Sequence, residues 1–388
     1  MCAPTRILSS DMPHQRPNRE RLVDTFTHLA KLDSPSRAEG AVAQFLLAEL
    51  QRFGWNAADD RTGPDCGNVI ASLPGDASLE PVLFTSHMDV VMPCVGVQPR
   101  LVNGALLSAG DTVLGADAKA SAAALLELAQ LLANAAAPTR RPPLEMLFTW
   151  GEEVGHLGAR ALDPERLRAR RAYVLDGLSA VGTIVIAAPT YHAFSIRVQG
   201  RAAHAGVEPE RGVSAIAVAA QAIARLPWGR LDESTTANVG TIQGGSARNA
   251  VAAEVRLEGE VRSLVPARAA NAVRTIQETL ESTAREAGAQ AEVDAQQLYA
   301  GYELAETDAV VALAGTAFAS VEGGGASQLL RSGAGSDANE LNVRGIQACV
   351  LGIGAEGCHS VHERIRVSEL ELLTAWVLQI VNPAAEPG

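Results

Sequence analysis

His87 and Asp89, two residues apart in the run PVLFTSHMD, supply an imidazole and a carboxylate, which are ligands that divalent cations select when no thiolate is near. On an extended chain they share one side, so Asp89 is expected to hold the ring nitrogen that His87 does not offer to a metal. Glu152 and Glu153 close the run LEMLFTWGEE. Adjacent carboxylates on an extended chain point in opposite directions, which predicts that one binds a cation and the other stays free as a base. Asp176 ends AYVLD, and CVLGIGAEGCHS leads into His359. Asp117 lies in LGADAK, on a glycine-containing loop where a carboxylate has room to bridge two cations. Singly, a histidine after a strand or paired carboxylates in a turn are ordinary structural features. Five such segments at strand ends, where open α/β sheets collect their sites, point to one metal centre. Histidine and carboxylate ligands without cysteine favour zinc, with manganese or cobalt as substitutes.

The elements that must position these residues follow from apolar periodicity. Leu22, Val23, Phe26, Leu29 and Leu32 repeat at helical spacing, and AEGAVAQFLLAELQRFG does the same before stopping at Gly54. The short apolar runs NVIASL, PVLFTSH, LEMLFTW, AYVLD and QACVLGIG alternate with helical stretches such as 121–134. Runs of that kind predict a mostly parallel, buried sheet flanked by helices, an α/β fold. After Pro189 the pattern becomes strand–helix–strand–strand–helix–strand, an α+β sandwich with helices on one face. The buried-strand pattern returns near Ala305, so the sandwich reads as an insertion. The expected division is 1–189 and 303–388 for the two parts of the main domain, with 1–16 a polar tail, and 190–302 for the insert.

At 388 residues the chain is long for one core. With 44 acidic and 32 basic side chains its formal charge is −12, which argues against nucleic acid and anionic membrane surfaces as partners. The N-terminus lacks the apolar run of a secretory signal and no stretch is long enough to span a bilayer, so a cytoplasmic protein is expected. The five cysteines show no CxxC spacing and are expected to be reduced packing residues.

Taken together, HMD at 87–89, LGADAK at 114–119, GEEVGHLGA at 151–159, AAHAGVEPERG at 202–212, GTIQGGSARN at 240–249, GSDAN at 335–339 and CHSVHE at 358–363 resemble the dinuclear zinc peptidase family that includes aminoacylase, carboxypeptidase G and peptidase T. The wording of VGTIVIAAPT and LPWGRLDESTTANVGTIQGG is most similar to the peptidase T-like branch, whose activity is tripeptide aminopeptidase. The resemblance implies two zinc ions per subunit, one on His87, Asp117 and Asp176, the other on Asp117, Glu153 and His359. It implies Glu152 as general base, with Asp89 supporting His87, and His204 as a lid histidine reaching the partner's site in a homodimer formed through the insert. Asn249 and Arg262 match positions that hold a substrate carboxylate or terminus, and Gly335, Ser336 and Asp337 match a loop lining the cleft.

Ala118 stands where such proteins usually carry an acidic or amide side chain, and Gly177 where polar residues often follow, which leaves substrate choice more open than reaction type. His362 could compete with His359 for metal, but the spacing to Glu363 favours His359. The leading expectation is therefore an aminopeptidase for short peptides. The alternatives are an N-acyl amino acid amidohydrolase or carboxypeptidase on the same scaffold, or a non-catalytic binding protein. The usual mark of the last, loss of Glu152 or a ligand, is not seen.

Overall fold

The computed structural model describes residues 16–134 and 140–382; the expected tail, apart from Arg16, lies outside the described residues, as does Cys2. Helices α1 (Arg19–Lys31) and α2 (Gly40–Arg52) lead into strands β1 (Asn56–Asp59), β2 (Val69–Leu73) and β3 (Val82–His87). A hairpin, β4 (Pro99–Val102) and β5 (Ala105–Ser108), precedes α3 (Ala116–Ala133). Next come β6 (Leu144–Thr149), α4 (Leu157–Ala161), β7 (Arg171–Gly177) and β8 (Thr183–Ala188). A second run holds β9 (Thr190–Gln199), α5 (Ala215–Arg225), β10 (Gly229–Arg230), β11 (Thr235–Gly244), β12 (Glu254–Ser263), α6 (Pro266–Glu286) and β13 (Gln290–Tyr299). The chain ends with β14 (Tyr302–Glu303), α7 (Ala309–Ala319), β15 (Gln328–Arg331), α8 (Asp337–Val343), β16 (Gln347–Gly352), β17 (Ala355–Glu356), β18 (Arg364–Arg366) and α9 (Val367–Val381).

The large sheet runs β1-β2-β6-β3-β7-β16-β8-β14, with β15 also paired to β8. Its centre, β6-β3-β7-β16, is parallel, whereas β1, β2 and β14 add antiparallel edges and β16 meets β8 antiparallel. Alternate residues of the central strands feed opposite faces. Phe84 and Tyr173 join Phe26, Leu46, Leu125 and Trp376 in one core. Leu83 and Val174 join Leu341 and Leu162 in the other. Burial on both faces is why these strands read as unbroken apolar runs.

The five antiparallel strands β10-β11-β12-β9-β13 form a separate sheet. Phe194, Ile196 and Val198 of β9 pack on Ala215, Val218 and Ala222 of α5 and on Ile276 and Leu280 of α6. The large sheet contains strands both before and after this run, which makes the run an insertion in its topology. Four short strands, β17-β18-β5-β4, make a small third sheet that apolar periodicity does not reveal. No described helix is long and apolar enough to cross a membrane. Cys66, Cys94, Cys349 and Cys358 carry free thiols, the first three buried.

Candidate metal centre

The parallel strands deliver their ligands to one edge of the sheet. His87 is the last residue of β3, Asp176 the penultimate residue of β7, and Glu152 and Glu153 follow β6. His359 arrives on the loop between β17 and β18, in the left-handed region at φ 61°. Asp117 is not on a free loop as expected: α3 begins at Ala116, five residues earlier than periodicity suggested, and places Asp117 in its first turn. Asp117 and Ala118 depart from helical dihedrals, and the bond between them is cis.

Asp117 stands between the two histidines. Its Oδ1 lies 3.2 Å from His87 Nε2 and its Oδ2 lies 3.3 Å from His359 Nε2. His87 Nε2 is 3.4 Å from Asp176 Oδ1, and His359 Nε2 is 3.2 Å from Glu153 Oε1. Two triads result, His87–Asp117–Asp176 and Asp117–Glu153–His359, each with its ligand atoms within 4.8 Å of one another. A third grouping, His87–Glu152–Glu153, meets the same limit. His362, by contrast, is exposed and outside the cluster.

The electrostatics suit cations. Among the described residues none of Asp117, Asp176, Glu152 and Glu153 pairs with a lysine or arginine. Burial and the Asp117 carboxylate push Asp176 up to about 8. Burial and Asp176 raise Glu152 well above the usual carboxylate range. Hydrogen bonding to Asp117 and Glu153 lifts His359 to about 10. Burial opposes charge on His87, yet Asp117, Asp176 and Asp89 outweigh it and raise its pKa. Glu153 Oε1 is buried with no well-formed hydrogen bond and only His359 Nε2 beside it at 3.2 Å, a setting that a cation would relieve. The donor set of two imidazoles and carboxylates fits two divalent metal ions sharing Asp117.

One orientation rule failed, and the other held through a different atom. Gly151, at φ 61°, ends the extended backbone, so Glu152 and Glu153 turn into the same cavity instead of diverging. His87 Nδ1 lies 2.9 Å from the backbone oxygen of Asp89 and 3.4 Å from its carboxylate. The carboxylate is occupied elsewhere: it accepts from Glu152 N–H at 2.9 Å, Glu153 N–H at 3.1 Å and the Ser36 hydroxyl at 2.7 Å. Burial would raise the Asp89 pKa, but these bonds and His87 outweigh it and hold the carboxyl low. Asp89 thus fixes the turn that carries both glutamates. Glu363 does the same for Asp117, its buried carboxylate accepting from Gly115 N–H at 2.6 Å and Asp117 N–H at 3.0 Å. Sequence reasoning missed this role. The Ala118 side chain is fully buried, and Ser86 donates to its carbonyl at 3.1 Å, so the segment is held through its backbone.

A cavity of about 740 Å³ joins the centre to the inserted sheet, with Tyr191, Arg262 and Tyr299 on its far wall. Arg262 stacks over Tyr191 at 4.3 Å and donates through Nε and Nη2 to Glu260, both at 3.1 Å, and through Nη1 to Tyr299. Those bonds leave two of its five N–H groups for a ligand. Gly335 lines the cavity against Tyr299, where a Cβ would sit 2.4 Å from the ring. Ser336 also lines it, but its hydroxyl caps α8 by accepting from Ala338 N–H. Asp337 is a correction: it is buried, outside the lining, and accepts from Thr149 at 2.5 Å. Asn249 and His204 are exposed neighbours on the insert, with Ala205 N–H donating to Asn249 O at 3.0 Å, and neither lines this cavity with Arg262.

Comparison with known proteins gives concordant matches. Residues 187–288 match the family model described as peptidase dimerisation domain, and residues 68–217 match peptidase family M28. The structure is similar to the aminopeptidase PepT of Bacillus cereus, at 39% identity and TM-score 0.87, over 94% of this chain and 98% of that one. It is also similar to a tripeptidase of Staphylococcus aureus, at 36% identity and TM-score 0.91, over 95% and 98% of the two chains. The Bacillus subtilis protein YqjE is 38% identical over 373 residues, 95% of this chain and the whole of that protein.

Proposed function

Because the chain belongs to the peptidase T branch of the M20 metallopeptidases, the family of the dimerisation domain it matches, we propose that it releases the N-terminal residue of tripeptides using two zinc ions. It is a peptide-hydrolysing metalloenzyme; the substrate length, the terminus attacked and the metal are the parts proposed. The observation that carries the reading is the pair of three-residue groups sharing Asp117, whose two oxygens face different histidines. His87, Asp117 and Asp176 would hold one zinc, and Asp117, Glu153 and His359 the other. Such a pair supplies Lewis acidity to water and to the scissile carbonyl.

The chain's own residues then divide the remaining work. Glu152 takes the proton from the attacking water and delivers it to the leaving amine. Asp89 keeps Glu152 and Glu153 at their stations through their backbone N–H groups. Arg262 receives the substrate carboxylate on its two remaining N–H groups, with Gly335 and Ser336 forming the adjacent wall.

Because His204 and Asn249 are exposed on the insert and absent from their own cavity, they serve the partner's site in a homodimer built through residues 190–302. Residues 1–189 and 303–388 form the catalytic domain, and the protein works in the cytoplasm. The test is a panel of tripeptides in free, N-blocked and C-amidated forms with the zinc-loaded protein. The free peptide is expected to lose its N-terminal residue, the N-blocked one to resist, and the amidated one to be cut slowly. Cleavage of the N-blocked peptide at the free peptide's rate would overturn the aminopeptidase assignment.

A further inference from the structure

We propose that His156 is a positioning residue that holds the Glu152 carboxylate for proton transfer, an inference that rests on Glu152 being the base. His156 is 5% exposed, and its Nε2 lies 3.3 Å from Glu152 Oε1. The main chain ties the same two residues together, since His156 N–H donates to the Glu152 carbonyl at 2.9 Å. At φ 55° the backbone of His156 is left-handed, which turns its side chain back over the Glu152 turn as α4 begins. Its ring stacks on Tyr299 of the inserted sheet, with centroids 4.7 Å apart and planes tilted by 33°. The imidazole is therefore wedged between the glutamate and the far wall of the cavity.

The unused nitrogen identifies the tautomer. Nδ1 is buried with no hydrogen-bond partner. A neutral imidazole carries one N–H, and burial keeps this ring neutral by lowering its pKa to about 4. With the proton on Nε2, the donor faces the Glu152 carboxylate and only a bare acceptor goes unpaired. The other tautomer would bury an unpaired N–H and set a nitrogen lone pair against a carboxylate oxygen. Neutral His156 thus presents Nε2–H to Glu152 Oε1 at 3.3 Å, which favours the carboxylate rotamer that faces the ligand cluster.

Three substitutions in the zinc-loaded protein test this with an unblocked tripeptide. His156→Phe keeps a ring for Tyr299 and removes the donor. His156→Asn suits the left-handed backbone, but its amide reaches only the place of Nδ1. His156→Gln carries an amide nitrogen to the place of Nε2. The Phe and Asn variants are expected to lose roughly tenfold to a hundredfold in kcat, with KM within about twofold and zinc content intact. The Gln variant is expected to recover to within about threefold of the parent. The proposal is overturned if Phe and Asn keep kcat within about twofold, if their losses track lost zinc, or if Gln is no better than Asn. Glu152→Gln, assayed alongside, separates the two readings. If it retains turnover, the base assignment fails; if it is silent while the Phe and Asn variants are fully active, only the positioning role fails.

Discussion

Asp117 offers one oxygen to each histidine, so in the metal-free protein protons must do what cations would otherwise do. His359 is raised from 6.5 to about 10 by hydrogen bonding to Asp117 and Glu153, and Asp176 from 3.8 to about 8 by burial and Asp117. Both groups bind protons more tightly folded than unfolded, and their contributions to stability fade as pH rises through those windows. The metal-free protein is therefore expected to lose melting temperature from pH 6.5 towards pH 10, while zinc, by replacing the protons, flattens the slope. Thermal unfolding of both forms across that range checks this; a metal-free melting temperature that rises with pH would contradict it. At this scale the sequence was informative about type and poor about aim. His87, Glu152, Glu153 and Asp176 were legible because imidazoles and carboxylates recur at strand ends, and Asp117 and His359 through the motifs LGADAK and CHSVHE around them. The use of Asp89 to hold backbone N–H groups was not, since it depends on Gly151 breaking the strand.

The first turn of α3 is where an element, more than a residue, decides the site. Glu363, immediately before β18, clamps that turn through two N–H groups some 250 positions away in the chain. Glu363→Gln leaves one acceptor where two were and turns an amide N–H₂ against a backbone donor. It is expected to cost about 2–4 kcal/mol of stability and roughly tenfold to a hundredfold in zinc affinity. Calorimetric melting and zinc titration measure both, and an unchanged zinc affinity would show that the clamp does not position Asp117. The strands of the sheet centre were readable because burial on both faces demands continuous apolar runs, as in Val82–His87. The four-stranded sheet of β4, β5, β17 and β18 was not, because strands of two to four residues carry too little pattern and gain their identity only by pairing. Asp337 was misplaced for a related reason: GSDAN reads as a loop, but its serine caps a helix that carries the aspartate inside to Thr149.

The whole molecule divides its work between a sheet that gathers metal ligands and an insert that supplies the opposite wall. Its exposed His204 gives the proposed dimer a sharp test. Glu152→Gln and His204→Ala chains, each nearly silent alone, are expected to regain about one quarter of the parent rate when randomly paired, because one site per mixed dimer is intact. A mixture no faster than its components would remove His204 from the partner's site. The inserted sheet's alternating strands made that unit legible in the sequence, but how its wall meets the Glu152 turn was not, because that contact joins His156 to Tyr299 across 143 positions of chain. The most direct test of the shared-aspartate centre is anomalous scattering at the zinc edge from crystals of the zinc-loaded protein. Two peaks are expected roughly 3.5–4 Å apart, one against His87 and Asp176, the other against Glu153 and His359, with Asp117 reaching both and Glu152 bonded to neither. A single peak, or Glu152 ligating a metal, would contradict it.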